Sequence, residues 1–242
     1  MELTFKHREF EAEVREKLGL YDRAVTDVDA LAVEALDLTN FDFLAEDKET
    51  LCYFRNLTSL GIEIGDTTPS FWFHFPKMKD LYLCCWGKVV DFESFSKMKD
   101  LESLCVSGGD YSSIDYINLH ALQGLKKLED LELHEFGSVD IAPLSSMTQL
   151  KWFALRYANS VENIDTISSM GFLEELVLCD LWLENADFLD GLPDSIRLDM
   201  CGMQFYNDVD VRKWKRFKNR DICEIEVKHE YWEYIDLSAL ND

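Results

Sequence analysis

Three side chains that could catalyse a reaction or bind a metal alternate along one short segment of this 242-residue chain. Asp130, Glu132 and His134 are separated by single residues, so in a β-strand all three point to the same side. Carboxylates beside an imidazole can bind a metal ion or transfer a proton. However, the side of a sheet is open to water, and the segment offers neither a nucleophile nor an enclosed pocket. We therefore predict that the protein is not an enzyme and holds no metal or cofactor.

The seven cysteines point to a cellular compartment rather than to a reaction. An odd number without the spacing of a disulfide framework favours a reducing compartment. No CxxC pair occurs, so no zinc motif is predicted. We see no signal segment, and no stretch approaches the ~20 apolar residues of a membrane span. We expect a cytoplasmic protein, or a secreted or cell-surface protein if a leader peptide precedes this sequence.

Charge narrows the class of partner. The chain has 24 Lys and Arg residues against 47 Asp and Glu residues, a net charge of −23. This charge repels nucleic acids and anionic lipids, and it favours a neutral or basic protein as partner. The segment VRKWKRFKNR (211–220) runs against the trend, because it holds six basic residues around Trp214 and Phe217. We interpret its apolar residues as part of a core and its charges as exposed, and we predict no nucleic-acid partner.

The elements that position these residues follow a repeated apolar pattern. The segments PKMKDL (76–81) and SKMKDL (96–101) share five residues. Along the chain, apolar residues recur at spacings of three and then at a spacing of two, as in Leu128, Leu131 and Leu133. A spacing of three is typical of a 3₁₀-like coil, and a spacing of two is typical of a short strand with one buried side. Each repeat is therefore predicted to be an outer coil followed by an inner strand.

Nine copies of the pattern place the first buried strand residue at intervals of 20 to 27 residues, which is typical of leucine-rich repeats. We predict these residues to be Leu36, Leu60, Cys84, Leu104, Leu131, Phe153, Leu176, Leu198 and Cys223. Aligning the two KMKDL segments places Cys84 and Trp86 inside the third unit. The alternative register places Leu81 and Leu83 inside and turns Tyr82, Cys84 and Trp86 outward.

LxxLxL strands preceded by LxxLxxL coils resemble those of bacterial internalin-type leucine-rich repeat proteins. The start of the chain, FEAEVREKLG (10–19) followed by VTDVDALAVEALDLT (25–39), resembles the helical cap of that family. In the cap, Phe10, Val14 and Leu18 form an apolar stripe that can cover the first strand. The resemblance extends over residues 4–227. It implies a curved solenoid, a parallel sheet on its concave side, and non-catalytic binding of a protein.

The sequence departs from that family at one position in eight of the nine repeats. The family usually has Asn three residues after the last strand leucine, where the amide satisfies backbone groups of the turn. The equivalent positions here hold Phe41, Gly65, Val89, Gly109, Phe136, Ala158, Leu181 and Met203. The turns therefore need other partners, and we expect an irregular horseshoe.

The prediction for the fold is an α/β leucine-rich repeat solenoid with a concave parallel sheet of about nine strands and short 3₁₀ or irregular convex segments. We predict one domain over residues 1–242, with a helical cap at 1–32, repeats at 33–227 and a second cap at 228–242. Thr26 and Asp29 predict the start of a helix in the first cap. Tyr231, Trp232 and Tyr234 are expected to lie over the last repeat. We expect a monomer.

The concave face is the predicted binding surface, because strand residues between the buried positions point out of the sheet. Trp and Arg are frequent anchors of protein interfaces, so we place the centre of the site at Trp152 and Arg156. The full predicted site is Asp130, Glu132, His134, Trp152, Arg156, Glu175, Arg197 and Asp199. The alternative interpretation is a solvated sheet face with one exposed tryptophan.

Two further alternatives remain open at this point. The protein could be a surface-displayed adhesion or receptor-binding module like the internalins, or, more distantly, an enzyme with a site near Asp130–His134. Two cysteine pairs, Cys85 with Cys105 and Cys179 with Cys201, are predicted at equivalent outward positions of neighbouring strands. Strands ~4.8 Å apart bring such pairs within reach of a disulfide, although free thiols are expected in a reducing cell.

Overall fold

The repeats form a parallel sheet in which the strands follow the order of the chain. The computed structural model describes residues 1–43, 47–64, 75–85, 92–108 and 116–240. The strands within these ranges are β1 (Ala35–Phe43), β2 (Ser59–Ile64), β3 (Asp80–Cys85), β4 (Ser103–Ser107), β5 (Tyr116–Ile117), β6 (Asp130–Asp140), β7 (Trp152–Glu162), β8 (Glu175–Cys179), β9 (Trp182–Leu183), β10 (Arg197–Cys201), β11 (Gln204–Phe205), β12 (Asn219–Cys223), β13 (Glu226–Lys228) and β14 (Trp232–Tyr234). The main sheet has the order β1-β2-β3-β4-β6-β7-β8-β10-β12, and β5 pairs with β6. All these pairs are parallel, so the predicted solenoid with nine concave strands is confirmed.

A smaller sheet lies beside the carboxyl-terminal repeats. Its order is β14-β13-β11-β9, and only β14 runs antiparallel to its neighbour. The strands β9, β11 and β13 each follow a main-sheet strand by a few residues. The sheet therefore lies where the chain leaves the concave face.

Two helices precede the first strand, one 3₁₀ segment follows the last strand, and the other helices and 3₁₀ segments connect the strands. These elements are α1 (Arg8–Leu18), α2 (Asp27–Ala30), α3 (Lys48–Leu51), α4 (Phe92–Phe95) and the 3₁₀ segments Leu119–Gly124, Ala142–Ser146, Ile164–Ser169, Asp187–Leu189, Val211–Arg216 and Leu237–Leu240. The apolar spacing of three has a direct cause here. The amides of Leu144, Met147 and Leu150 each donate to the carbonyl three residues earlier, at 2.9–3.0 Å. Within the described residues, no helix is both long and apolar enough to cross a lipid bilayer.

The core fills the space between the coils and the main sheet. Leu128, Leu131 and Leu133 are completely buried, and their equivalents in the neighbouring repeats form one continuous cluster with them. At the amino-terminal end, α1 covers the first repeat with the fully buried Phe10 and Val14, as predicted.

The second helix begins as predicted. Thr26 and Asp29 form a reciprocal capping box, in which the Asp29 amide donates to Thr26 Oγ1 and the Thr26 amide donates to Asp29 Oδ2. Two otherwise unpaired backbone amides are satisfied in this way.

The predicted register of the third repeat is wrong, and the alternative register is correct. Leu81 pairs with Leu60 and Leu104, and Leu81, Leu83 and Cys85 are buried. The two KMKDL segments are not equivalent, because the chain makes one more turn after the second of them before its strand begins. The Leu101 amide closes that turn on the carbonyl three residues earlier. Cys84 therefore lies on the outer side of β3, and Trp86 is outside the described residues.

The predicted register of the last repeat is also wrong. Arg220, not Cys223, pairs with the first buried residue of the previous strand, and Ile222 takes the next inward position. Arg220 can replace a leucine because its guanidinium donates to the carbonyls of Phe217, at 2.7 Å, and Leu240. Backbone carbonyls of the last repeat and of the carboxyl-terminal segment thus satisfy the guanidinium at this position.

The residues predicted to lie over the last repeat do so only in part. Tyr231 and Tyr234 are 70% and 73% exposed, so that prediction is wrong for both. Trp232 packs sideways, with its ring centroid 5.5 Å from that of Tyr206. The buried apolar side chain of this segment is Leu240, at the end of its 3₁₀ turn.

The turns that lack Asn use a left-handed residue instead. Five equivalent residues have φ between 53° and 66°, namely Glu135, Tyr157, Asp180, Gly202 and Glu224. Each is followed by a buried apolar residue, namely Phe136, Ala158, Leu181, Met203 and Ile225. The left-handed conformation turns the chain and lets the next side chain enter the core, where the family's Asn would lie. Gly65, Val89, Gly109 and the side chain of Phe41 are outside the described residues.

Candidate protein-binding face

The outward side chains of the main sheet form three rows, because neighbouring strands pair in register. The first row contains Ser59, Asp80, Ser103, Asp130, Trp152, Glu175, Arg197 and Asn219. The second row contains Gly61, Tyr82, Cys105, Glu132, Ala154, Val177, Asp199 and Asp221. The third row contains Glu63, Cys84, Ser107, His134, Arg156, Cys179, Cys201 and Cys223. All eight residues of the predicted site lie in these rows, on the four neighbouring strands β6, β7, β8 and β10.

Glu132 is the centre of a charged cluster within this face. Its Oε1 atom lies 2.7 Å from His134 Nε2 and 3.1 Å from Arg156 Nε. These neighbours, His134 foremost, lower the pKa of the Glu132 carboxyl, although partial burial opposes them. Arg156 Nη1 also donates to Cys179 Sγ at 3.2 Å. The carboxylate therefore holds the guanidinium across the strands at the middle of the predicted site.

The second arginine of the site is held in a similar way. Arg197 Nη2 lies 3.1 Å from Asp199 Oδ2, and its Nε lies 3.6 Å from Glu175 Oε1. These three side chains are exposed or half-buried, so each ion pair contributes little to stability. They define a charged edge that a partner can reach.

A small apolar floor lies between the two charged groups. Ala154, Val177 and Cys179 point away from the main core, yet they are 0%, 4% and 9% exposed. They form a separate apolar cluster, against which Trp152 and Cys201 pack. Sequence reasoning placed these residues outward but did not predict that they are buried, because their burial depends on neighbouring side chains such as Trp152 that pack against them. The alternation Trp-x-Ala-x-Arg, with two small outward residues nearby, is the signal that could have indicated it.

Partial burial raises the pKa of two groups on this face. Burial and the nearby Glu129 carboxylate raise the pKa of Asp130. Burial and the negative charge of Glu132 raise the pKa of the Cys105 thiol to about 12. Cys105 is therefore a protonated thiol at neutral pH in the protein alone, not an activated nucleophile.

The structure contradicts one of the two predicted cysteine pairs and confirms the other as neighbours. Cys85 is in the core and Cys105 is on the outer side, so they lie on opposite sides of the sheet and cannot be joined. Cys179 and Cys201 are neighbours in the third row as predicted, and Cys223 follows them. The Cys223 thiol contacts the sulfur atom of Cys201 at 2.9 Å, and both cysteines are free thiols.

The basic segment at 211–220 packs as predicted except at Arg220. Trp214 and Phe217 are buried, and the other basic side chains lie outside the core, but the prediction is wrong for Arg220, which takes an inward strand position. Lys213 contacts Asp190 at 3.0 Å, and Arg216 contacts Asp194 at 2.8 Å. These basic groups are therefore paired with acidic groups of the preceding repeat.

The stacked coils, the sequential parallel sheet and its exposed concave rows define a leucine-rich repeat fold. No protein-family model matches the chain. None of the curated proteins matches its sequence.

Among solved structures, the chain is similar to internalin C2 of Listeria monocytogenes, with 18% identity and a TM-score of 0.68 over 91% of this chain and 94% of that chain. It is also similar to the internalin InlF of the same organism, with 18% identity and a TM-score of 0.53 over 98% of this chain and 79% of that chain. A third similar structure is the leucine-rich repeat ectodomain of the Arabidopsis receptor kinase HAESA in complex with a peptide hormone. Identity is 18% and the TM-score is 0.60, over 83% of this chain and 36% of that chain. The resemblance to internalin-type repeats is therefore confirmed at the level of the fold.

Proposed function

We propose that this chain is a non-catalytic protein-binding module that holds its partner on the concave face of β6, β7, β8 and β10. The observation that carries the proposal is the buried apolar floor of Ala154, Val177 and Cys179 beside Trp152. A desolvated apolar centre with an aromatic and an arginine, surrounded by charge, is the usual arrangement of an interface hot spot.

The size of the face is adequate for this role. Nine strands at ~4.8 Å per step span about 38 Å, and a standard interface buries about 800 Å² of each partner. The HAESA ectodomain, a structure of the same fold, is described in complex with a peptide. This likeness supports a binding role without indicating the partner.

Charge indicates the chemistry of the partner. The rows carry the carboxylates Glu63, Asp80, Asp130, Glu132, Glu175, Asp199 and Asp221 against the two arginines Arg156 and Arg197. Both arginines already contact carboxylates of their own face. A partner with an apolar anchor and basic groups around it therefore fits best, and its binding should weaken as salt increases.

The test is affinity capture of a partner from the native cell, followed by titration of the purified partner against three forms of the chain. We expect the double variant Trp152→Ala/Arg156→Ala to bind at least about 30-fold more weakly than the unaltered chain. The matched control is Trp182→Ala/Arg212→Ala, which removes an exposed Trp and an exposed Arg away from the concave face. The control should bind within about threefold of the unaltered chain. Equal affinity of both double variants would remove the proposal.

A further inference from the structure

Three metal-ligating side chains meet on the concave face, and Asp130 is not among them. Cys105 lies on β4 directly opposite Glu132 on β6, and His134 follows two residues later on the same side. The Cys105 sulfur, a Glu132 carboxylate oxygen and a His134 ring nitrogen all lie within 4.8 Å of one another. Among the described residues, this is the one group of three or more such side chains that is close enough to share an ion.

One nitrogen atom of the group lacks a hydrogen-bond partner. His134 Nε2 is buried and has no hydrogen-bond partner. Glu132 Oε1 lies 2.7 Å from it, but this contact does not have the geometry of a hydrogen bond. A buried nitrogen without a partner lowers stability, and coordination to a metal ion would satisfy it.

The donor set fits zinc better than the hard cations. Thiolate, imidazole and carboxylate are the three ligand types that Zn²⁺ uses in proteins, at about 2.0–2.3 Å, and three protein ligands leave a fourth position open. Tetrahedral bonds of that length place ligand atoms roughly 3.3–3.8 Å apart. Cys105, Glu132 and His134 are only partly buried, so small side-chain rotations can close the wider gaps and open the short contact between His134 and Glu132.

The charges around Glu132 act on a cation in opposite directions. Arg156 already places a positive charge 3.1 Å from the Glu132 oxygen. Because Arg156 also donates to Cys179, it can keep that contact when it leaves the carboxylate. Asp130 and Glu135 add negative charge on the same strand. Arg156 is thus a competitor that an ion must displace from Glu132.

We propose that Cys105, Glu132 and His134 bind a zinc ion on the concave face, with one coordination position open to water or to a partner side chain. Binding forms a zinc–sulfur bond and releases the thiol proton of Cys105 to solvent, with no change in oxidation state. The inference goes beyond protein binding and does not depend on it. The sequence-based expectation of no metal considered Asp130 as the third group, whereas the register of the strands brings Cys105 there instead.

The test uses the full chain, reduced and freed of metal, titrated first with zinc alone by calorimetry and then with cobalt alone by absorption. We expect one ion per chain and a thiolate-to-cobalt charge-transfer band. Cys105→Ser should abolish the band, and Cys105→Ser and His134→Gln should each weaken zinc binding at least about tenfold. Arg156→Ala should strengthen zinc binding about two- to fivefold, because it removes the competing charge.

The matched control is Cys201→Ser, which removes another thiol of the same face and should change neither readout. Circular dichroism of each variant separates loss of a ligand from loss of fold. Zinc binding by the unaltered chain that is no tighter than binding by Cys105→Ser/His134→Gln would overturn the proposal. A cobalt band that survives Cys105→Ser but disappears in Cys201→Ser would overturn it equally.

Discussion

The concave face of β6, β7, β8 and β10 differs from that of β2, β3 and β4, although the strands of both regions pair in the same register. In the first region Trp152 and Arg156 lie beside a buried apolar floor. In the second region the described outward residues are mostly small, such as Ser59, Gly61 and Ser103, and Tyr82 is the one aromatic among them. The inward residues of the two regions pair in one register, and Leu60 of β2 and Leu176 of β8 belong to the same row. The inward residues therefore determine the fold, and the outward residues determine what each region can bind.

The largest expected effect concerns what the two regions share. Leu60→Ala on β2 and Leu176→Ala on β8 should each lower the free energy of unfolding by about 2–5 kcal/mol, because both side chains are fully buried. Urea denaturation of purified variants measures this. The outward controls Ser59→Ala and Asn219→Ala should stay within about 0.5 kcal/mol of the unaltered chain. A Leu176→Ala variant as stable as the Asn219→Ala control would contradict the shared inward register.

The next effect separates the two regions. Trp152→Ala should weaken binding of the captured partner by about 2 kcal/mol or more, because truncating an interface anchor leaves its apolar floor open. Tyr82→Ala, the matched aromatic of the other region, should change the affinity by less than about threefold. Calorimetric titration of each variant gives both values. The reverse order of effects would move the binding site to β2, β3 and β4.

A smaller effect tests the junction between the regions, where Gly108 follows β4. A β-carbon at this position would lie 2.1 Å from the backbone oxygen of Glu135 in the next repeat. Gly108→Ala should therefore lower the free energy of unfolding by about 1–3 kcal/mol. Gly171→Ala is the control, since a β-carbon there meets nothing within 4 Å. Thermal unfolding that ranks the two variants equally would show that the repeats are not in close contact at Gly108.

The smallest effect concerns two carboxyls of one strand. Burial raises the pKa of Asp130 above its ordinary value of 3.8, whereas His134 and Arg156 lower that of Glu132 below 4.5. The stability from Glu132 is thus present above pH 4.5 and is lost as the pH falls through its lowered pKa. That from Asp130 is present below pH 3.8 and is lost as the pH rises through its raised pKa. Carboxyl NMR titration of the metal-free chain should show the two shifts in opposite directions, and equal shifts would contradict the charged cluster around Glu132.

Much of the fold could be predicted because the apolar spacing encodes the backbone directly. Leu131 and Leu133 have clear equivalents in the neighbouring repeats, so their inward positions followed from the pattern. The predicted register of the third repeat was wrong because the two KMKDL segments occupy different positions within their repeats. The predicted register of the last repeat was wrong because Arg220 occupies a leucine position, where backbone carbonyls satisfy its guanidinium.

The candidate site was predictable only as a set of outward residues. Strand alternation placed Trp152 and Arg156 on the same side, and the structure confirms that placement. The floor beneath Trp152, the pairing of Arg156 with Glu132 and the approach of Cys105 depend on contacts between strands. Such contacts require the register of each repeat and the direction of each side chain, which spacing alone does not supply.

Hydroxyl-radical footprinting of the partner complex tests the central claim most directly, because Trp152 and Trp182 report on different surfaces of the same molecule. The account predicts that Trp152 becomes protected when the partner binds, while Tyr82 and Trp182 keep the reactivity that they have in the free chain. Protection of Trp182 or Tyr82 with no change at Trp152 would contradict it.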